Sequence, residues 1–293
     1  MMVSGFVYAN KEIHCGSFFF GRFCRIMIPA YVYATIIFVC SAIFYEGPSV
    51  KDILIHIFNL QGIQNVVPCI DYYGFPRLGI LWFLTAIMMC YLLLPLLKKA
   101  EKKFNLGLRG HSLLLIALVS LQIALAYVDI QLFYLLMFYI GYYLGKYIHR
   151  LRNFHAIFIY AFTLAINGAR LVLSNRIDGT VFYNMTIATL AEGMVALAIL
   201  ITLYLIYKNW PKIVERVANN KLLRLTDKYS MAVYIVHFTF FRGIAPATLI
   251  TSNKILALLL MIGLTLICLY PFQKICDLLD HAVRALCNRK QKG

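Results

Sequence analysis

Long apolar runs alternate along this chain with short polar segments that are mostly basic. A helix needs about 20 predominantly apolar residues to cross the hydrocarbon core of a bilayer. Runs that meet or approach that length cover residues 27–45, 79–97, 112–127, 130–148, 154–173, 185–207, 229–250 and 254–273. A further partial run, "MMVSGFVYA", covers residues 1–9, about half a span. Only "VD" separates 112–127 from 130–148, which predicts a tight helical hairpin. The pattern predicts an all-α fold: a polytopic transmembrane helical bundle of about eight full spans plus a partial N-terminal one. No repeat, low-complexity tract or soluble domain interrupts it, so residues 1–293 read as a single membrane-embedded domain.

Three polar segments carry a pattern of their own. "KICDLLDHAVRALCNRK" places Ile275, Leu278, Leu279, Ala282, Val283 and Leu286 on one helical face. It predicts an amphipathic helix in the tail 273–293, lying on the inner membrane surface. "PKIVERVANNKLLRL" is read the same way. Within 46–78, "DILIHIFNLQGI" is too short to span and predicts a re-entrant or interfacial helix.

Composition closes off the soluble alternative. The chain is 62% hydrophobic and 14% charged, against roughly 45–50% and about 25% in soluble domains. The net charge of +16 would point to nucleic acid in a soluble protein. Here it follows the rule that basic residues gather in cytoplasmic loops, and no nucleic-acid partner is implied. With the Arg22/Arg25 segment inside, the inside segments 10–26, 98–111, 146–153, 208–228 and 274–293 hold 22 of the 28 Lys and Arg. The outside segments 46–78 and 174–184 hold Lys51, Arg77 and Arg176. This predicts a multi-pass protein with a cytoplasmic C-terminus, whose solvent and first partner is the lipid bilayer. The eight cysteines form no CxxC and no Cys/His cluster with metal-ligand spacing, so neither disulfides nor a metal are expected.

Ionisable groups within a bilayer are costly and point to function. Glu192 and His237 each lie about eight residues into a run, and Arg170 and Arg242 lie toward the outer ends of theirs. The residues alone leave alternatives open: Glu192 is a reacting group or the partner of an intramembrane Arg, and His237 is a proton carrier or a hydrogen-bonded core histidine. Arg22 and Arg25, at i and i+3, project from one helical face at the inner interface. A topology signal needs only positive charge. A phosphate site favours guanidinium, which grips phosphate in a bidentate fork.

Four stretches in order resemble the integral-membrane acyltransferase family 3, whose members include bacterial polysaccharide O-acetyltransferases. "VSGFVYA" (Val3 to Ala9) is similar to the end of the family's second helix. "FGRFCRIMIPAY" (Phe20 to Tyr31) resembles its Arg-x-x-Arg motif with the Pro that follows. "LGILWFLTAIMMCYLLLPLL" (Leu78 to Leu97) is similar to its Leu-Trp-Phe-Leu helix, and "YSMAVYIVHFTFF" (Tyr229 to Phe241) to its Ser-x-x-x-Tyr-Leu-x-His element. "FYIGYYLGKYI" (Phe138 to Ile148) is a weaker fifth match.

The resemblance implies a ten-helix fold, here expected to lack its first helix, in a bacterial inner membrane. It implies transfer of an acyl group, most simply acetyl, from cytoplasmic acetyl-CoA to a hydroxyl of an outward-facing glycan or lipid-linked sugar. Arg22 and Arg25 would hold the donor's phosphates, Trp82 and Tyr234 would line the substrate pathway, and His237 would lie near the acceptor. The family's first helix carries an Arg and the His proposed as general base, and neither has a counterpart here. His237, and with less support Glu192, are the candidates left for acid–base work; His14 falls in a polar segment. The rival reading is a solute carrier or flippase-like protein using Glu192, Arg170 and His237 as a charge relay. Carriers tend to show internal repeats, and this sequence shows none.

Overall fold

The computed structural model describes residues 1–13, 15–60, 75, 78–126, 132–177, 187–243 and 245–290. These residues form eleven α-helices and three 3₁₀ turns, with no strand among them. The helices are α1 (Met2–Tyr8), α2 (Cys15–Phe44), α3 (Val50–Ile57), α4 (Trp82–Phe104), α5 (Leu108–Ala126) and α6 (Phe133–Tyr147). They continue with α7 (Asn153–Ile177), α8 (Thr189–Asn209), α9 (Pro211–Ala218), α10 (Lys221–Phe241) and α11 (Lys254–Lys290). Six are long and apolar enough to cross a membrane: α2, α4, α5, α7, α8 and α11. Their exposed surfaces are apolar, with Phe154, Ile157, Phe158, Leu164 and Leu171 standing out along α7. That is the surface of a protein whose solvent is lipid, and the chain is a polytopic helical membrane protein.

Several boundaries differ from those that hydropathy predicts. α4 does not stop at Leu97 but runs on through Lys98–Lys103, because Lys, Ala and Glu favour helix whether or not lipid surrounds them. The run 229–250 is not one helix. α10 begins earlier, where the Asn220 side chain accepts from the Leu222 N–H, and ends at Phe241. Gly243 and Pro246 follow, and a short 3₁₀ turn covers Ala247–Leu249. The tail is not a separate helix on the membrane surface. α11 continues through Pro271 without a break to Lys290, and its 37 residues measure about 55 Å. α6 is 15 residues long, about 22 Å. The turn expected between 127 and 130, most of the outer segment beyond residue 60, and His14 lie outside the described residues.

The structure divides into two compact units. The first comprises residues 1–14, 86–216 and 65–70. In it α1 lies along α6 at very close range: a Cβ on Gly141 would overlap the Met2 carbonyl, and one on Gly5 the Phe138 carbonyl. Gly145 stands in the same relation to Phe6 and Ala9. Gly141-x-x-x-Gly145 is thus a small-residue seam of the kind that lets membrane helices approach backbone to backbone. The α5–α6 pair is fixed by Gln122, whose Oε1 accepts from the Leu132 N–H at 2.7 Å, and by Ser112 with Tyr143 at 3.1 Å. A polar ladder joins α7 to α8: Tyr160 with Thr202 at 2.8 Å, and Thr163 donating to the Met194 carbonyl at 3.3 Å.

The second unit comprises residues 15–64, 71–85 and 217–293. α2 packs against α10 and α11, and α10 lies along α11. Lys228 and Asp277 approach to 3.8 Å between the last two. α3 folds back along α2. A capping box starts it, with Ser49 and Asp52 exchanging side-chain bonds to backbone. It ends with Asn59 at φ 55° and the Leu60 N–H reaching back to the Ile55 carbonyl at 2.8 Å, a Schellman-type stop that reverses the chain. The Tyr31 hydroxyl donates to the Ile57 carbonyl at 2.8 Å. Tyr31 lies about 20 Å along α2 from Phe44, where the chain left that helix. The segment "DILIHIF" is therefore re-entrant.

Candidate functional site

The second unit draws together most of the residues singled out in the sequence. α4 is preceded by a 3₁₀ turn, Gly79–Leu81, that brings Trp82 to its first position. The Tyr234 hydroxyl, from the middle of α10, donates to the Ile80 carbonyl of that turn at 2.9 Å. Rings then follow one another at van der Waals range. Trp82 and Phe83 have centroids 6.0 Å apart, Phe83 and Tyr234 5.6 Å, and Tyr234 and His237 6.3 Å. Tyr234 and His237 are three apart on a helix and share a face. The Leu-Trp-Phe-Leu stretch and the His-bearing stretch thus meet in one aromatic wall with an imidazole at its end.

The tautomer of that imidazole follows from its bonding. His237 Nδ1 lies 2.9 Å from the Val233 carbonyl, which only accepts, so Nδ1 carries the proton. On the other side of α10, Thr239 donates to the Tyr33 hydroxyl of α2 at 3.2 Å. That bond ties the His-bearing helix to α2 about 12 Å along its axis from Arg25.

Arg22 and Arg25 both lie on α2, in the turns before Pro29. Arg22 is half-buried and Arg25 is exposed. The same stretch of α2 meets the far part of α11, where the Arg284 guanidinium stacks over Phe20 at 5.9 Å. Asp280 accepts from the Arg284 Nε at 2.9 Å and partly neutralises it. The cationic end of α2 is therefore exposed guanidinium beside a partly compensated one.

Glu192 belongs to the other unit. It sits in the first turn of α8, 3.4 Å from Arg170 of α7, with more than half of its side chain exposed. This is the ion-pair arrangement, one of the two that the sequence left open.

Sequence reasoning missed a polar network in the first unit. Glu101, near the end of α4, accepts from Tyr142 and from Lys146 of α6. The fully buried His111 of α5 has Nε2 3.8 Å from the same carboxylate and Nδ1 2.9 Å from the Tyr139 hydroxyl. Lys98 lies over the Tyr142 ring and donates to the carbonyls of Ala9 and Lys11, closing the end of α1. A single acid in the run "KKAEKK" was the available signal. Among the described residues no group of three or more His, Cys, Asp or Glu is placed to hold a metal ion.

The architecture defines a multi-pass membrane protein with an aromatic, histidine-ended wall inside one helical unit and paired arginines on a helix of the same unit. The profile of the family described as "Acyltransferase domain" matches residues 1–273. The chain belongs to that family, the acyltransferase family 3 of the motif resemblance, and is a transferase of acyl groups. No curated protein and no solved structure matches it.

Proposed function

We propose that this protein moves an acetyl group from cytoplasmic acetyl-CoA to a hydroxyl of a cell-envelope or exported polysaccharide, within a bacterial inner membrane and with its C-terminus in the cytoplasm. The observation that carries the reading is the path along α2. One part of this helix bears Arg22 and Arg25, and a later part is bonded through Tyr33 to the helix of His237. Arginines of this kind suit the phosphates of coenzyme A, because guanidinium binds phosphate in a fork and stays charged at any working pH. Trp82 and Tyr234 supply a rigid wall for the acyl group and the acceptor. His237, at the end of that wall, is the residue we read as taking the hydroxyl proton. Glu192 we read as the neutralising partner of Arg170.

The test is acetyl transfer by the purified chain in proteoliposomes. Radiolabelled acetyl-CoA is supplied at the face that bears Arg22, and a glycan acceptor at the other face. Label in the glycan with stoichiometric free CoA is expected. Movement of solute without thioester cleavage would replace this reading with that of a carrier.

A further inference from the structure

Gln122, near the end of α5, is 6% exposed. The two ends of its amide are treated differently. Oε1 accepts from the Leu132 N–H at 2.7 Å, just ahead of α6. A backbone N–H only donates, so this contact fixes which end of the amide is oxygen. The other end is therefore an NH2 group, and among the described residues Nε2 meets no acceptor. Capping the Leu132 N–H needs only an oxygen. A buried donor without a partner is costly, and the amide carries one that the cap does not use.

Gln122 also lines a cavity. Val119 and Ile123 of α5, Phe133 and Leu136 of α6, and Thr189 and Leu190 of α8 complete its lining. Its empty space is about 260 Å³, part of it open to the surroundings of the protein. All of these residues belong to the first compact unit. α6 packs against both α5 and α8 and joins the two walls.

The chemistry of the lining narrows the ligand. No charged side chain lines the cavity, so an ion has no partner in it. The fitting ligand is an apolar body with one oxygen acceptor. A lone water would satisfy the amide and leave the apolar walls unfilled.

Depth narrows it further. Gln122 lies about 6 Å along α5 from Ala126. Phe133 opens α6 and Thr189 opens α8. The opposite ends of these helices carry Arg109, Lys146 and Lys208, the kind of residue that gathers at the inner interface. The cavity therefore lies near the far edge of the hydrocarbon core, where chains give way to head groups. A glycerolipid places its ester carbonyls at that level.

We propose that this cavity binds an ester-linked membrane lipid of the leaflet away from the basic helix ends. Its ester carbonyl accepts from Gln122 Nε2, and the chain below that carbonyl runs inward along Val119, Leu136 and Leu190. The bound lipid fills the space between α5 and α8 over α6 and completes the hydrogen bonding of the one buried amide in that space.

The experiment uses the full chain in detergent micelles with a phosphatidylcholine that bears a diazirine on one acyl chain. After irradiation, labelled residues are mapped by mass spectrometry. Two unlabelled competitors are compared: a diester phosphatidylcholine, and the diether lipid of the same head group and chain length, which has no carbonyl. Label is expected on Val119, Ile123 and Leu190. The diester should displace it at about one-tenth the concentration the diether needs. Label elsewhere on the lipid-facing surface should yield equally to both. Gln122→Leu keeps the apolar lining and should bring the two competitors within about twofold of each other at this site. Equal competition in the wild-type chain would overturn the proposal, leaving the amide to water. So would absence of label from these three residues, or a diester preference that survives in Gln122→Leu. The wild-type comparison varies the lipid and not the chain, so it decides even if Gln122→Leu does not fold.

Discussion

Gly141 of α6 lies so close to Met2 of α1 that a single added methyl group would overlap the Met2 carbonyl oxygen. The obstacle is backbone, which cannot swing aside as a side chain does. Gly141→Val is therefore expected to separate α1 from α6 and to cost about 3 kcal/mol or more. Thermal unfolding in detergent, with size-exclusion profiles, checks this. Gly168 of α7 has open space where its Cβ would be. Gly168→Ala should be neutral or stabilise by up to about 1 kcal/mol, which makes it the matched control.

The tie between Tyr31 and the Ile57 carbonyl predicts a local effect rather than a global one. Tyr31→Phe keeps the ring against His56 and removes only the hydroxyl. The expected loss is about 1 kcal/mol. It should appear as faster maleimide labelling of a cysteine placed at Ile57, in a chain whose other cysteines have been replaced. Unchanged labelling would mean that the Asn59–Thr85 contact alone holds the re-entrant tip.

Charge and shape can be separated at the arginine pair. Arg22→Lys with Arg25→Lys keeps the positive charge that fixes orientation, so glycosylation- or cysteine-based topology mapping should give the wild-type result. Acetyl-CoA affinity, measured by isothermal titration, should fall about tenfold or more, since an ammonium cannot reproduce the bidentate fork. Unchanged affinity would return both residues to a purely topological role.

The Glu101 network predicts non-additivity. Glu101→Gln leaves Lys146 beside Tyr142 without its counter-charge, at a site where both charged groups are about four-fifths buried. The expected cost is about 3 kcal/mol. Adding Lys146→Met removes the orphaned charge and should recover much of that loss. Thermal unfolding of the two single variants and the double variant measures the coupling.

How far the sequence reveals this molecule depends on the distance over which each signal acts. The cores of α4, α7 and α8 are legible because apolar runs of span length have few alternatives. Their ends are not, because hydropathy registers lipid rather than helix. It therefore overlooked Lys98–Lys103 as part of α4, Asn220 as the cap of α10, and the Gly243 to Pro246 stop that divides 229–250. The re-entrant segment was visible from its short apolar run, but not the burial of its His56, which depends on Tyr31 and Phe38 from another helix. Motifs that resemble the family proved to have local physical work. "VSGFVYA" and "FYIGYYLGKYI" contain Gly5, Gly141 and Gly145, three glycines at which a side chain would overlap the facing helix of the α1–α6 pair. The Glu101 network was hidden because Glu101 falls in a basic segment that hydropathy reads as a loop, so nothing placed it on a helix facing His111, Tyr142 and Lys146.

Pro29 sits between the two parts of α2. Having no N–H, it leaves the carbonyl of Arg25 without the usual bond from four residues ahead, and helices bend at such points. Beyond it, Tyr31 is bonded to the α3 tip and Tyr33 to α10. Before it, the guanidinium of Arg25 stands exposed. The missing bond thus falls between the arginine-bearing turns of α2, where Cys24 and Met27 are buried and Phe20 lies beneath Arg284, and the turns tied to α3 and α10, so both parts are held in place while the backbone between them lacks one bond.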